Sequence, residues 1–348
     1  MCGIVGYLGE RDSLPIILNG LKRLEYRGYD SAGIAIYNGS TIASCKSKGK
    51  ISKLEKLLDK RKNMSGGIGI GHTRWATHGE PNDMNAHPQF SNSKKLCLVH
   101  NGIIENYSTI KLKLIKEGFS FSSETDTEVL VNLIEFIKNK NDVKLGEAVQ
   151  IALNQVIGAY AIAVIDDDKP DEIVVAKLGS PLCIGIGEDE HFIGSDVTPF
   201  IEFTKDVVYL EDGELAIIRN HKETFFRKID DDSLISPIVS KLELSLDKIE
   251  KQGYDHYMLK EIYEQPKAIK DTLRGRLNIS KGIIKMSGID DYINKFLSAK
   301  KITIIACGTS WHSALVAEYM FERSLKFRLK LSMPLSFDTE TLLLKKTI

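Results

Sequence analysis

The stretch CGIVGYL, residues 2–8, decides how this chain folds. A cysteine directly follows the initiator methionine, and the apolar run behind it is typical of a buried strand. We therefore expect Cys2 to begin a strand rather than lie in a frayed tail. Once Met1 is removed, the α-amine of Cys2, with an ordinary pKa of about 7.7–8.0, can act as base for a thiol that needs only modest help to ionise. The residues alone do not exclude the alternative that removal of Met1 leaves an inert N-terminal cysteine.

Polar, glycine-containing blocks follow at the ends of predicted strands. They are RGYDSAG at residues 27–33, GHTRWATHG at 71–79, HNGIIEN at 100–106 and SETDTE at 123–128. Each block alone fits an ordinary turn. Together with an N-terminal cysteine they indicate an active site, because loops and strand ends commonly carry functional groups.

These blocks resemble those of the class II, N-terminal nucleophile glutamine amidotransferases. RLEYRGYDSAG, HTRWATHG and HNGIIEN carry the resemblance, and HYMLKEIYEQP at residues 256–266 is similar to the members that aminate a sugar phosphate. The resemblance implies an α+β fold of the N-terminal nucleophile hydrolase type, an αββα four-layer sandwich of two antiparallel sheets between helices. It also implies hydrolysis of L-glutamine to glutamate and ammonia, without a metal or an organic cofactor.

The resemblance assigns roles within the glutamine site. Cys2 attacks the side-chain amide, while the Asn101 side chain and the Gly102 backbone N–H form the oxyanion hole. A glycine suits the second position because the backbone must approach the developing charge closely. Arg74 pairs with the substrate α-carboxylate through its planar guanidinium, and Asp126 takes the α-ammonium group.

The resemblance extends to the loops around that site. Thr77 and His78 are expected to line the same mouth. Trp75 is expected to close over bound glutamine, although a tryptophan beside an arginine is also a common stacking pair. Arg27 and Tyr29 either order the neighbouring loop or serve the fold alone.

The composition excludes several other classes of function. The 348 residues carry 47 Lys and Arg against 47 Asp and Glu, so no nucleic-acid partner is indicated. The five cysteines form no CxxC pair, which indicates a reducing, cytoplasmic setting without a disulfide framework. No apolar run is long enough to span a membrane. Four histidines match no zinc signature, so no metal is expected: His72, His78, His87 and His100.

Apolar patterning predicts a layered α+β domain rather than a doubly wound sheet. The predicted strands cover residues 4–8, 33–37, 68–72, 95–99, 159–165, 172–177, 182–186 and 207–210. The predicted helices cover residues 14–23, 127–138 and 144–156. Strands that are apolar on both faces are expected to lie between two layers.

The chain is expected to continue beyond this domain. We predict an amidotransferase domain at residues 1–227, a charged linker at 228–251 and an incomplete α/β segment of the sugar-isomerase (SIS) type at 252–327. Helices are predicted at residues 257–271 and 311–322 and a strand at 301–306. Between the last two lies a CGTS turn, in which Thr309 and Ser310 are candidate phosphate contacts. By resemblance, a full-length form binds fructose 6-phosphate, makes glucosamine 6-phosphate and is a homodimer.

Residues 328–348 lack the character of the family. Back-translated and read one base earlier, this stretch can yield YASEFRYR, which resembles the family, so we expect an out-of-frame tail. The chain as written is then expected to keep glutamine hydrolysis and to lack sugar amination. A non-catalytic sensor of glutamine or sugar phosphate, a stand-alone glutaminase and another class II amidotransferase stay open as alternatives.

Overall fold

Strand β1, Gly3–Leu8, is buried along its whole length. Because successive side chains of a strand point to opposite faces, Ile4 and Leu8 pack into one apolar cluster, whereas Val5 and Tyr7 pack into another. The strand is therefore covered on both faces, as its apolar sequence predicts.

The computed structural model describes residues 2–25, 30–76, 79–220, 224–242, 254–273, 276–278, 282–284, 292–299, 302–306, 308–325 and 329–332. The chain divides into two compact units, Met1–Gly288 and Ile289–Ile348.

The larger unit holds most of the described helices and strands. Its helices are α1 (Ser13–Leu24), α2 (Ile51–Leu58), α3 (Tyr107–Lys116), α4 (Asp126–Asn141), α5 (Leu145–Leu153) and α6 (Tyr257–Leu273). After β1, its strands are β2 (Ser31–Tyr37), β3 (Ile42–Lys48), β4 (Ile68–Arg74), β5 (Gln89–Phe90), β6 (Leu96–Ile104), β7 (Gly158–Asp166), β8 (Glu172–Leu178), β9 (Cys183–Ile186), β10 (His191–Gly194), β11 (Asp206–Tyr209), β12 (Glu214–Arg219), β13 (Phe225–Lys228), β14 (Leu234–Ile235), β15 (Val239–Lys241), β16 (Leu277–Asn278) and β17 (Ile283–Ile284).

Two large sheets form the centre of this unit. One has the strand order β15-β11-β9-β10-β1-β4-β2-β3 and the other β14-β13-β12-β8-β7-β6-β5, and their paired strands run antiparallel. One apolar cluster joins the facing sides of the sheets. A second cluster packs α1 and α2 on the outside of the first sheet, and a third packs α3, α4 and α5 on the outside of the second. This is the predicted αββα sandwich.

Helix α1 lies close against strand β4. A Cβ atom built on Gly71 would stand 2.5 Å from Ile17 Cγ2 and 3.0 Å from Leu21 Cδ1. The glycines in GIGIGH thus let a helix approach the sheet closely, which accounts for this glycine-rich run.

The structure differs from the predicted boundaries in places that matter for the site. Strand β6 extends to Ile104, so HNGII lies inside a strand instead of after it. Strand β4 likewise continues through Arg74. The segment predicted as a linker contributes the short strands β14 and β15 to the two sheets.

The smaller unit contains α7 (Ile293–Ser298), β18 (Ile302–Ile305), α8 (Gly308–Leu325) and β19 (Leu329–Ser332). Strands β18 and β19 pair in parallel, and α8 connects them, which is an α/β arrangement. Helix α8 begins three residues before its predicted start, so Thr309 and Ser310 lie in its first turn and are exposed. The domain boundaries proposed from the sequence stay predictions.

Candidate active site

Cys2 lies where the start of β1 meets the end of β4. Gly3 pairs with Thr73 across these antiparallel strands, which brings Cys2 beside Trp75. The Trp75 backbone N–H donates to Cys2 Sγ at 3.2 Å, and the thiol donates to the Trp75 carbonyl at 3.4 Å. The first strand therefore fixes a half-buried thiol instead of leaving it in a mobile tail.

The environment of this thiol does not favour its ionised form. Burial raises the pKa of Cys2, while the Trp75 N–H and the charge of Arg74 act in the opposite direction. The sequence alone predicts a thiol close to ionisation, and the structure differs on this point. A buried thiol needs a base within reach at the moment of attack.

Strand β6 brings Asn101 and Gly102 to the same place from the other sheet. The Asn101 Nδ2 group donates to the Cys2 carbonyl at 3.2 Å. Gly102 has φ +142°, and a Cβ atom there would stand 1.9 Å from the Ala159 carbonyl oxygen. Only glycine fits this backbone, because any side chain would overlap the backbone of the paired strand β7.

Arg74 and Asp126 supply opposite charges to one cleft that Cys2 and Gly102 also line. Arg74 ends β4, and its Nη2 donates to the Gly79 carbonyl at 3.2 Å. Asp126 is the first residue of α4, where the positive end of the helix favours a carboxylate. Its Oδ2 accepts from the Ile104 N–H at 2.9 Å.

The start of α4 has a side-chain cap. The Thr125 hydroxyl accepts from the Glu128 N–H at 3.2 Å, and the Glu128 carboxylate accepts from the Ser122 and Ser123 N–H groups. These bonds resemble a capping box, although here the glutamate reaches preceding residues other than the cap itself. The SETDTE block therefore positions Asp126 through the helix that it begins.

The turn after β4 is anchored by Asp30. Its carboxylate accepts from the Ala76 N–H, and its own N–H donates to the Arg74 carbonyl at 3.1 Å. Asp30 belongs to the RGYDSAG block, yet sequence reasoning assigned it no role. Trp75 contacts the thiol through its backbone N–H and carbonyl, and its side chain is 50% exposed.

The structure brings together Cys2, Arg74, Asn101, Gly102 and Asp126. Four other predicted site residues lie outside the described residues: Arg27, Tyr29, Thr77 and His78. Thr309 and Ser310 belong to the other unit, Ile289–Ile348.

Three of the histidines considered as metal ligands lie together at the cleft, which His87 and His100 line. The rings of His72 and His87 have centroids 4.3 Å apart, and His72 Nε2 lies 3.0 Å from the His100 carbonyl oxygen. Burial lowers the pKa of His72 to about 3 and that of His87 well below its ordinary value, so both rings are neutral. Within the described ranges, no group of three or more His, Cys, Asp or Glu side chains is arranged to hold a metal ion.

Ser195, just after β10, is a residue of the site that the sequence did not reveal. Its Oγ accepts from the Ile4 N–H at 2.7 Å and from Asn101 Nδ2 at 2.9 Å. The surrounding GSD has the composition of an ordinary turn, so only the tertiary structure identifies this role.

The comparisons with known proteins agree with this geometry. Residues 59–231 match the family of the glutamine amidotransferase domain. This chain therefore contains a glutamine amidotransferase domain.

Its curated relatives are glutamine–fructose-6-phosphate aminotransferases (isomerizing). That of Bacteroides thetaiotaomicron is 55% identical over 325 residues, which are 92% of this chain and 52% of the relative. Those of Chlorobaculum tepidum and Thermococcus kodakarensis are 51% and 46% identical, again over 52% of their own length. The chain thus spans about half the length of the curated relatives it matches.

Solved structures show the same fold. The allosteric regulatory enzyme of purine biosynthesis is 29% identical with a TM-score of 0.58, over 66% of this chain and 49% of that one. The glutamine phosphoribosylpyrophosphate amidotransferase of B. subtilis is 22% identical with a TM-score of 0.59, over 95% of this chain and 65% of that one. No described helix of this chain has the length and apolar character that crossing a bilayer requires.

Proposed function

We propose that this chain hydrolyses the side-chain amide of L-glutamine to L-glutamate and ammonia, with the Cys2 thiol as nucleophile. One observation carries the proposal. A thiol, an amide donor from the opposite sheet, a glycine, a guanidinium and a carboxylate all meet around a single cleft. Glutamine presents a reactive amide, an α-carboxylate and an α-ammonium group that complement this set.

In the proposed reaction, the α-amine of Cys2 takes the thiol proton as Sγ attacks the amide carbon. The carbonyl oxygen becomes an oxyanion that accepts from Asn101 Nδ2 and the Gly102 N–H. The C–N bond then breaks, and ammonia leaves with the proton from the α-ammonium group. Water attacks the remaining thioester, glutamate is released, and the thiol is restored.

The two charged side chains would orient the substrate. Arg74 would bind the α-carboxylate through two parallel N–H donors, and Asp126 would bind the α-ammonium group. Both stand at ends of regular elements, β4 and α4, so they are held rigidly. Fixing both ends of glutamine keeps the amide against Sγ, which is how positioning contributes to rate.

The fate of the ammonia is proposed from the names of the relatives, which are fructose-6-phosphate aminotransferases. A longer form is proposed to transfer it to fructose 6-phosphate, to contact the phosphate through Thr309 and Ser310 and to form a homodimer in the cytoplasm. For the 348-residue chain we expect no glucosamine 6-phosphate when fructose 6-phosphate is added. The resemblance that suggests fructose 6-phosphate as the acceptor implies no cofactor.

The test measures glutamate released from glutamine by the purified chain. The N-terminal mass is determined in the same sample, and loss of Met1 is expected because the proposed base is the Cys2 amine. Cys2→Ala is expected to abolish release. Cys45→Ala is the matched control, because Cys45 is a buried core cysteine, and it is expected to retain activity.

Two results would contradict the proposal. Full activity with Met1 retained would remove the α-amine base. Tight binding of glutamine without glutamate release, in a sample with a processed N-terminus, would favour the non-catalytic sensor instead.

A further inference from the structure

The side-chain amide of Asn101 has one permitted orientation. Its nitrogen lies 3.2 Å from the Cys2 carbonyl oxygen, which can only accept a hydrogen bond. The nitrogen must therefore face Cys2, and the amide oxygen must face the opposite side, where His72 Nε2 lies at 2.9 Å. An oxyanion donor is useful only in this orientation, since the flipped amide would present an oxygen to the developing negative charge.

His72 is in the tautomer that holds the amide oxygen. Its Nε2 faces two groups that only accept, Asn101 Oδ1 and the His100 carbonyl oxygen at 3.0 Å, so Nε2 carries the hydrogen. The ring is fully buried and neutral, so Nδ1 is then unprotonated. Nδ1 has no hydrogen-bond partner within the described part of the chain, and a lone pair left without a donor is the smaller cost there.

Neighbouring groups reinforce this arrangement. The His87 Nδ1 lies 3.3 Å from His72 Nε2 and can accept as a weaker third partner. On the far side of the amide, Ser195 Oγ takes one Asn101 N–H at 2.9 Å and leaves the other directed at Cys2. The amide is thus held at its oxygen by His72 and at its nitrogen by Ser195 Oγ and the Cys2 carbonyl oxygen.

We infer that His72 is a positioning residue for amide hydrolysis: its Nε2–H, with the Ser195 hydroxyl, keeps the Asn101 amide nitrogen on the Cys2 side, where it can donate to the oxyanion. This inference rests on the proposed function for its kinetic consequence. His72 need not touch substrate or transfer a proton. Its contribution is to prevent the donor from rotating into a repulsive orientation.

The test compares His72→Leu, which removes the donor, with His72→Gln, whose amide nitrogen can reach the place of Nε2. His72→Leu is expected to lower kcat for glutamine hydrolysis about 100-fold, the lower end of the effect of losing one oxyanion donor. KM for glutamine is expected to change less than about threefold, because the clamps at Arg74 and Asp126 are intact. His72→Gln is expected to restore most of kcat.

A second readout separates positioning from general damage to the fold. Alkylation of Cys2 by iodoacetamide, followed by mass spectrometry of the N-terminal peptide, requires the thiol but no oxyanion hole. Its rate is expected to be unchanged in His72→Leu. A parallel loss of kcat and alkylation without rescue by His72→Gln would show a packing role and overturn the inference.

A third measurement is independent of turnover. Nitrogen-15 NMR of the wild-type His72 ring is expected to show the Nε2–H tautomer. The Nδ1–H tautomer would overturn the inference whether or not glutamine is hydrolysed or His72→Leu folds. A wild-type chain that shows the Nε2–H tautomer but releases no glutamate would refute the proposed function while supporting the amide geometry.

Discussion

Replacing Gly102 by alanine tests how strictly the oxyanion site depends on backbone geometry. Gly102 has φ +142°, and a new Cβ atom would stand 1.9 Å from the Ala159 carbonyl oxygen and 2.9 Å from Tyr160 Cα. Real Cβ atoms essentially never approach a heavy atom within 3.0 Å, so β6 and β7 must separate locally by about 1 Å. The obstacle is backbone of the paired strand, which cannot rotate away as a side chain can.

The magnitude has two parts. Holding an alanine at this φ costs about 1–3 kcal/mol, and relieving the overlap adds about 1–3 kcal/mol more. Shifting the Gly102 N–H by about 1 Å removes it from hydrogen-bond range, so kcat is expected to fall about 10²–10³-fold. The loss of activity should therefore be far larger than the loss of folded protein.

Gly118→Ala is the matched control. Gly118 also has a positive φ, +91°, but a Cβ atom there would meet no atom within 4 Å. It should show the conformational cost of about 1–2 kcal/mol without the overlap and without loss of kcat. Glutamate release and urea unfolding are measured for both variants. If Gly102→Ala kept kcat within about threefold of wild type, the assignment of its N–H as an oxyanion donor would be wrong.

Three further predictions address binding, capping and ionisation. Arg74→Lys is expected to raise KM for glutamine at least about tenfold with little change in kcat, because an ammonium group cannot make two parallel hydrogen bonds to a carboxylate. Steady-state kinetics test this, and a fall in kcat at constant KM would contradict it. Thr125→Ala is expected to lower the free energy of unfolding by about 1 kcal/mol through loss of the α4 cap, measured in urea, and an unchanged unfolding midpoint would argue against the cap. Burial lowers the pKa of His72 from 6.5 to about 3, so the neutral ring contributes up to about 5 kcal/mol to the free energy of unfolding above pH 6.5, and this contribution is lost as pH falls towards 3. His72→Gln should flatten that part of the curve of unfolding free energy against pH. Parallel curves for the two proteins would refute the buried neutral ring.

The fold was largely predictable because its central strands are apolar on both faces. Strands β1, β7 and β8 lie between layers, and such runs stand out in a sequence. Strand β3, IASCKSK, was missed because its buried positions after Ile42 are the small residues Ala43, Cys45 and Ser47. Helix α3 was missed because only Ile110 and Leu114 are buried, so the helical period gives little signal. Helix α2 was missed although Ile51, Leu54 and Leu58 follow helical spacing.

The site was predictable in its residue types but not in its geometry. Asn101 and Gly102 have the composition of a turn, so the sequence places them after a strand, whereas the structure keeps them inside β6. The roles of Asp30 and Ser195 depend on hydrogen bonds to residues 46 and 94 positions away in the chain, which no local pattern encodes. The raised pKa of Cys2 likewise follows from burial by the completed fold.

The nucleophile and its amide donor stand on different sheets, Cys2 before β1 and Asn101 on β6. The distance between them therefore depends on the spacing of the two sheets, which is set by the side chains packed between them. Ala161, the cross-strand neighbour of Asn101, lies in that layer with Ile4 and Val99. Small residues in this layer keep the sheets close together. A bulkier residue would increase the distance between the Asn101 amide and the Cys2 thiol. In this protein the apolar layer between the sheets thus sets the distance between the nucleophile and its amide donor.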